Sequence, residues 1–316
     1  MNNTTRKISG KFFSPLISAM LLLSTMSALL VGFMPTALAD VSAATVSVTP
    51  PVAGTENATY NIAFTLGAGG GLTLNEDWVN ITFPAGTILN NTYLEGTVSH
   101  DTTTRPIETN FTIVDVDHTL NITMPINVSN GGQIWINLTK GITNPTIAGS
   151  YNLSINTSKE PVSVLSVGYT IVAAGAASMS ITQQPTATVA GVAIAPPVTV
   201  LVVDAFSNPV SGVNVVVAPY RGNFSFASGT TTRTTAGNGV ATFNDLVIDT
   251  AGTGYRLNFS VSGISNVTSN AFNVVAAGAA SMSITQQPTA TVAGVAIAPP
   301  VTVLVVDAFS NPVSGV

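Results

Sequence analysis

Residues 172–213 recur letter for letter as residues 275–316, an offset of 103. A unit of that length is a whole domain, too long for a solenoid repeat of about 20 to 50 residues. Two copies drifting independently would differ first at their surfaces, so the identity points to recent duplication or gene conversion within an array. The second copy supplies only the opening part of a unit whose closing part corresponds to residues 243–274 of the first. The natural chain is therefore expected to continue beyond Val316, with residues 276–316 a truncated repeat whose strand edges and core face are left open.

The unit reads as β-structure. Residues 198–203 are an apolar run, Asp204 to Pro209 carry turn chemistry, and Val213, Val215 and Val217 then share one face. Ala241 and Phe243 share a face that Leu246 and Ile248 continue after a one-residue phase shift, which predicts a bulge near Asn244 and Asp245. Tyr255, Leu257, Phe259 and Val261 alternate with Arg256, Asn258 and Ser260. Residues 40–172 are a different domain with the same grammar: Tyr60, Ile62, Phe64 and Leu66 share a face, as do Val79, Ile81 and Phe83. The same holds for Leu120, Ile122 and Met124, for Ile134, Ile136 and Leu138, and for Tyr151, Leu153 and Ile155. The expected fold is all-β: tandem immunoglobulin-like β-sandwiches, one distinct domain at 40–172, a full repeat at 173–275 and the partial repeat at 276–316. Both junctions carry the words VAAGAAS, a short Ala/Gly joint that suggests closely spaced beads.

Three phrases of the repeat, VVDAFSNPVSGVNV, TTTRTTAGNGVATFNDLVI and GTGYRLNFSVSG, resemble the bacterial immunoglobulin-like domain of the invasin/intimin type. The resemblance covers residues 178–275 and the partial copy from Ser281. It implies stalk units that repeat along surface adhesins, with recognition left to loops or to a terminal module, and it carries over no catalytic residue. Ser207 stands where the family usually has glycine, which puts the turn geometry in question. In the first domain VNITFPAGT resembles, over a shorter stretch, a phrase of prokaryotic surface-layer and adhesin-like proteins.

Residues 1–39 read as an export signal, with Arg6, Lys7 and Lys11 before an apolar stretch at 17–34 and an Ala37-Leu38-Ala39 cleavage site. An uncleaved membrane anchor is the other reading, since that stretch reaches the roughly 18 residues needed to span. Cleavage leaves a mature net charge of about −8. With no basic run, nucleic acid is excluded as an expected partner. The absence of cysteine excludes disulfides and thiolate metal sites.

Charged residues are only 7 % of the chain, so hydroxyls, amides or attached sugar must wet the surface. The densest chemical signal is N-x-S/T, at Asn57, Asn80, Asn90, Asn110, Asn121, Asn127, Asn137, Asn152, Asn156, Asn223, Asn258 and Asn266. At Asn80, Asn121, Asn137, Asn152 and Asn258 the side chain points away from the apolar face, where asparagine is ordinarily depleted. N-glycosylation of an exported protein accounts for this; an Asn/Thr-rich strand surface making sequons by accident is the alternative.

Other candidates are sparse. Asp115 and Asp117 beside His118 could bind calcium with backbone oxygens, and they equally fit a hairpin turn. Asp204 and Asn208 could hold an ion, or make an Asx-type turn without one. His100 and His118 sit in no nucleophile or metal spacing. Glu76, Asp77, Glu95 and Glu108 could hide a glycosidase pair but read as loop residues. Gly69, Gly70 and Gly71 read as a flexible loop between strands. Trp78 and Trp135 could stack on sugar, with shielding by a neighbouring strand or domain the plainer expectation for Trp135. The expected protein is non-catalytic, without cofactor or bound metal. It is extracellular, held at a cell surface by the export signal or a C-terminal anchor, and directed at a protein or glycan partner. A surface-layer lattice glycoprotein, or the spacer region of an extracellular carbohydrate-active enzyme, are the alternatives.

Overall fold

The computed structural model describes residues 41–114 and 118–316; the export segment and the Asp115 and Asp117 carboxylates lie outside them. Every regular element among the described residues is a strand. The cause is local: alternating side chains leave a strand on opposite faces, and an alternating sequence can bury one of them.

The first domain is two packed five-stranded sheets. One runs Thr45–Thr49, Thr59–Thr65, Gln133–Lys140, Glu95–His100, Thr103–Pro106 in spatial order, and the other Val164–Leu165, Ser154–Thr157, Trp78–Thr82, Thr119–Thr123, Phe111–Val114. Their inner faces hold the five apolar sets read from the sequence, with only Tyr151 left partly exposed. Tyr60 anchors this core, meeting Phe83 edge-on at 5.4 Å between ring centroids. The strand Phe111–Val114 pairs with Thr119–Thr123, with Val114 opposite Thr119, so the chain reverses across the expected turn.

The repeat has the same two-layer build around a separate core from Met179 to Val274. Ser178–Gln183, Val198–Val203 and Val240–Phe243 form one sheet. The other is centred on Gly252–Ser260 and Asn214–Arg221 and closed by Thr188–Val189, which runs parallel to Phe272–Val275. The bulge expected near Asn244 and Asp245 is absent. Val240–Phe243 simply ends there, and the chain drops across the domain, with Val247 bridging Ala193 and Ser228. Leu246 and Ile248 are buried without belonging to a strand, which is why their phase differs.

A tyrosine corner closes each sandwich. Tyr151 donates its hydroxyl to the carbonyl of Ile147 at 2.7 Å, and Tyr255 does the same toward Ala251 at 3.4 Å. In the second copy, Ser281–Gln286 pairs with Thr302–Val306 in the register of the first. The identical residues differ in burial: Met179 is 8 % exposed and Met282 76 %, Val200 0 % and Val303 51 %. What differs is the facing sheet of Gly252–Ser260 and Asn214–Arg221, which covers the first copy, together with Val240–Phe243, which extends the first copy's own sheet.

Candidate functional site

A tightly bonded polar cluster lies between the first domain and the repeat. The turn that follows Val198–Val203 begins at Asp204, whose Oδ1 accepts the backbone N–H of Phe206 at 2.9 Å and of Asn208 at 2.8 Å. Its Oδ2 accepts the amide of Asn208 at 2.8 Å and, from the interdomain linker, the N–H of Ala174 at 2.9 Å. Ser207 takes φ of +69°, so serine here holds the left-handed geometry that glycine adopts most readily.

So braced, Asn208 reaches into the preceding domain. Its Oδ1 accepts the N–H of Ala148 at 2.8 Å, and its Nδ2 donates to the carbonyl of Thr146 at 2.7 Å. Phe206 lays its ring over Gly54, where a Cβ would fall 2.3 Å from the ring. Gly54 itself has φ of +66°. The linker is short because Val172 still bridges Val52 of the first domain and Ala177 already bonds Val203 of the second.

The same joint is built again one unit on. Asn311 accepts from Ala251 at 2.8 Å and donates to Asp249 at 2.7 Å; Asp307 accepts from Ala277 at 2.9 Å; Phe309 covers Gly191, whose φ is +79°. Burial pushes the Asp307 carboxyl up, but the amide of Asn311 and the N–H groups of Ala277, Asn311 and Phe309 outweigh it and hold it at about 2. Asp204 is likewise lowered, with the hydrogen bonds of Asn208, Ala174 and Phe206 outweighing its burial.

A carboxylate depressed by folding contributes stability above its unfolded pKa of about 3.9 and loses it as pH falls through the folded value. The second joint should therefore hold from pH 8 down to about 4 and open between about 4 and 2, and the first, whose Asp204 is lowered in the same direction, should likewise hold down to about 4 and open below it. Small-angle scattering should show the longest dimension constant over the first interval and more variable in the second, while circular dichroism still reports folded sandwiches. A dimension that changes between pH 8 and 5 contradicts the assignment.

No protein-family model matches the chain, and no curated protein matches it. Among solved structures it is similar to Yersinia pseudotuberculosis InvD, 14 % identical over 85 % of this chain and 72 % of that one, with a TM-score of 0.44. It is also similar to the Escherichia coli adhesin FdeC, 18 % identical over 86 % and 76 % of the two chains, TM-score 0.41. Domains 4 and 5 of the S-layer protein SbsC are 12 % identical over 75 % of this chain and all of theirs, TM-score 0.28. Of these, FdeC is an adhesin and SbsC an S-layer protein. The tandem-sandwich architecture itself rests on the strand order and registers given above.

The remaining sequence candidates are scattered. Asp77 is buried, not a solvated loop residue. Its burial raises the carboxyl, but Ser158, the N–H of Thr73 and Lys159 together lower it below the ordinary range. Glu95 opens a strand and pairs with Lys140 at 2.7 Å, and Glu76 and Glu108 are exposed. His100 is buried with Nδ1 at 2.9 Å from the carbonyl of Gln133, and His118 takes φ of +49° at the hairpin. The glycine run is tied down: Gly70 donates to the carbonyl of Gly67 and Gly71 to Asn130, while the neighbouring Gly67 donates to buried Glu160. Trp78 is half-buried, while Trp135 is 42 % exposed beside Ala63 and Ser99 rather than shielded. Among the described residues no three His, Asp, Glu or Cys gather as a metal site.

Sequence reading singled out Asp204 and Asn208 but gave them a choice between an ion and a local turn. The turn is real; the reach into the neighbouring domain was missed. One signal could have exposed it, because the tripeptide Val-Ala-Gly stands at residues 52–54, 189–191 and 292–294, in the first domain as well as in both copies.

Proposed function

We propose that the protein is a non-catalytic structural and adhesive protein of a prokaryotic cell surface, a rod of sandwiches that holds a recognition surface away from the envelope. The observation that carries this reading is the recurrence of one clamp at both joints with matching distances. A protein built for catalysis has no use for repeated fixing of the angle between its domains; a stalk does. A nine-residue strand such as Gly252–Ser260 spans about 30 Å at roughly 3.4 Å per residue, so each unit lengthens the rod by about 30 to 40 Å. Copy number then sets reach. The first domain differs from the repeats and is the recognition head. Deleting it should abolish binding of the native protein to its target surface, whereas removing one repeat should only shorten the rod; equal loss from both deletions refutes the division of labour.

Glycan is the proposed wetting of this charge-poor surface, and the structure ranks the sequons. An N-glycan replaces a hydrogen on Nδ2, so an amide nitrogen already held by the protein is a poor acceptor. Asn121 donates Nδ2 to Asn80 at 2.6 Å and Asn152 to the carbonyl of Ser166 at 2.6 Å, whereas Asn127, Asn223 and Asn266 stand exposed in loops. Glycopeptide mapping of protein from its own cells should find the three exposed asparagines occupied well above Asn121 and Asn152. The reverse order, or no sugar at any of them, removes glycosylation from the reading.

A further inference from the structure

The two clamps grip different sequences. In the first domain the gripped segment reads Thr146-Ile147-Ala148; in the repeat it reads Asp249-Thr250-Ala251. A hydroxyl is exchanged for a carboxylate and an isoleucine for a threonine, yet the hydrogen bonds are the same to a tenth of an ångström, 2.8 and 2.7 Å. Every atom gripped is backbone. A carboxamide carries one acceptor and one donor group side by side, which matches a carbonyl and the N–H two residues later. The second contact, Phe206 over Gly54 or Phe309 over Gly191, also reads backbone, because the ring occupies the space that any Cβ would fill.

We infer that the Asp-Ala-Phe-Ser-Asn turn is a portable plug, and that its socket is defined by backbone shape alone: a left-handed glycine after Val-Ala beside one exposed carbonyl and N–H pair. The partner it fits is any sandwich presenting that shape, a second copy of the same unit first of all. The angle between neighbouring domains is then set by the plug and does not depend on which domain precedes it. This goes beyond the surface role, since it holds whether or not the protein adheres to anything. The first domain carries a socket but no plug: its corresponding connection, residues 66–77, is a glycine-containing loop fastened to its own Glu160 and Asn130.

The chain lacks cysteine, so spin labels can be placed cleanly at Thr102→Cys and Ser262→Cys, exposed turn positions of the first domain and the repeat. A narrow distance distribution by dipolar spectroscopy is expected. In that background Thr146→Asp with Ile147→Thr, which gives the first socket the side chains of the second, should leave the distribution unchanged. Asn208→Ala with Phe206→Ala, and separately Gly54→Val, should free a five-residue linker whose own end-to-end spread is about 12 Å and broaden the distribution by several ångströms. The Asn208 and Phe206 changes lie on the turn, outside both hydrophobic clusters, so they remain informative if Gly54→Val disturbs its domain. Broadening by the socket exchange would overturn backbone recognition. A distribution already broad in the parent chain, or unmoved by Asn208→Ala with Phe206→Ala, would overturn the plug.

Discussion

Phe259→Ala should lower the melting temperature of the repeat by roughly 15 to 30 °C and leave that of the first domain where it was. Phe259 is fully buried and packs on Phe243, centroids 5.3 Å apart, near the C-terminal end of the inner face of Gly252–Ser260. Truncating such a ring costs about 3 to 5 kcal/mol through lost transfer free energy and the cavity left behind. In a domain near 100 residues each kcal/mol is worth about 4 to 8 °C. The two buried clusters share no residue, and the joint touches through a few hydrogen bonds and one ring. Two calorimetric transitions, of which only one moves, are expected. If both move together, the domains fold as a single cooperative unit and the bead picture fails.

The second large effect concerns Asn144, which is 0 % exposed and sits beneath the first socket. Its Oδ1 accepts the hydroxyl of Tyr60 at 2.8 Å, and its Nδ2 donates to the carbonyls of Pro50 at 3.0 Å and Val52 at 2.9 Å. Burial pushes the Tyr60 phenol up to about 12, so the hydroxyl stays a donor at any ordinary pH. Alanine at 144 leaves the buried Tyr60 hydroxyl unsatisfied, at about 1 to 3 kcal/mol, and takes a bond of about 1 kcal/mol from each of the carbonyls of exposed Pro50 and half-buried Val52, the latter keeping a weaker bond from Thr55 at 3.3 Å. A loss of about 3 to 4 kcal/mol is expected by urea unfolding. Tyr60→Phe removes one bond of the same network and should cost about 1 kcal/mol. Because Val52 leads directly into Gly54, Asn144→Ala should also broaden the interdomain distance, which Tyr60→Phe should not. Equal costs for the two variants would show that the asparagine merely fills space.

Where strands lie and which face they bury was legible from residue order, because period two is a property of each strand alone. Phe243, Leu257 and Phe259 are inside for the same reason that they alternate. The run Leu246 to Ile248 was misread, since burial there comes from crossing the domain and periodicity carries no information about a crossing. The functional reading of Trp135 stood on the face it occupies, which the sequence gives correctly, while its exposure depended on whether anything packs over that face.

Residue order by itself thus determined the repeat unit, the all-β character, the inward and outward faces and the turn at Asp204. Only tertiary structure decided that Asn208 grips Thr146 and Ala148, about sixty positions back along the chain and in another domain. The reason is physical: strand periodicity is enforced by the local geometry of consecutive residues. A clamp between folded domains exists only after each has closed its own core and brought a glycine, a carbonyl and an N–H to one surface.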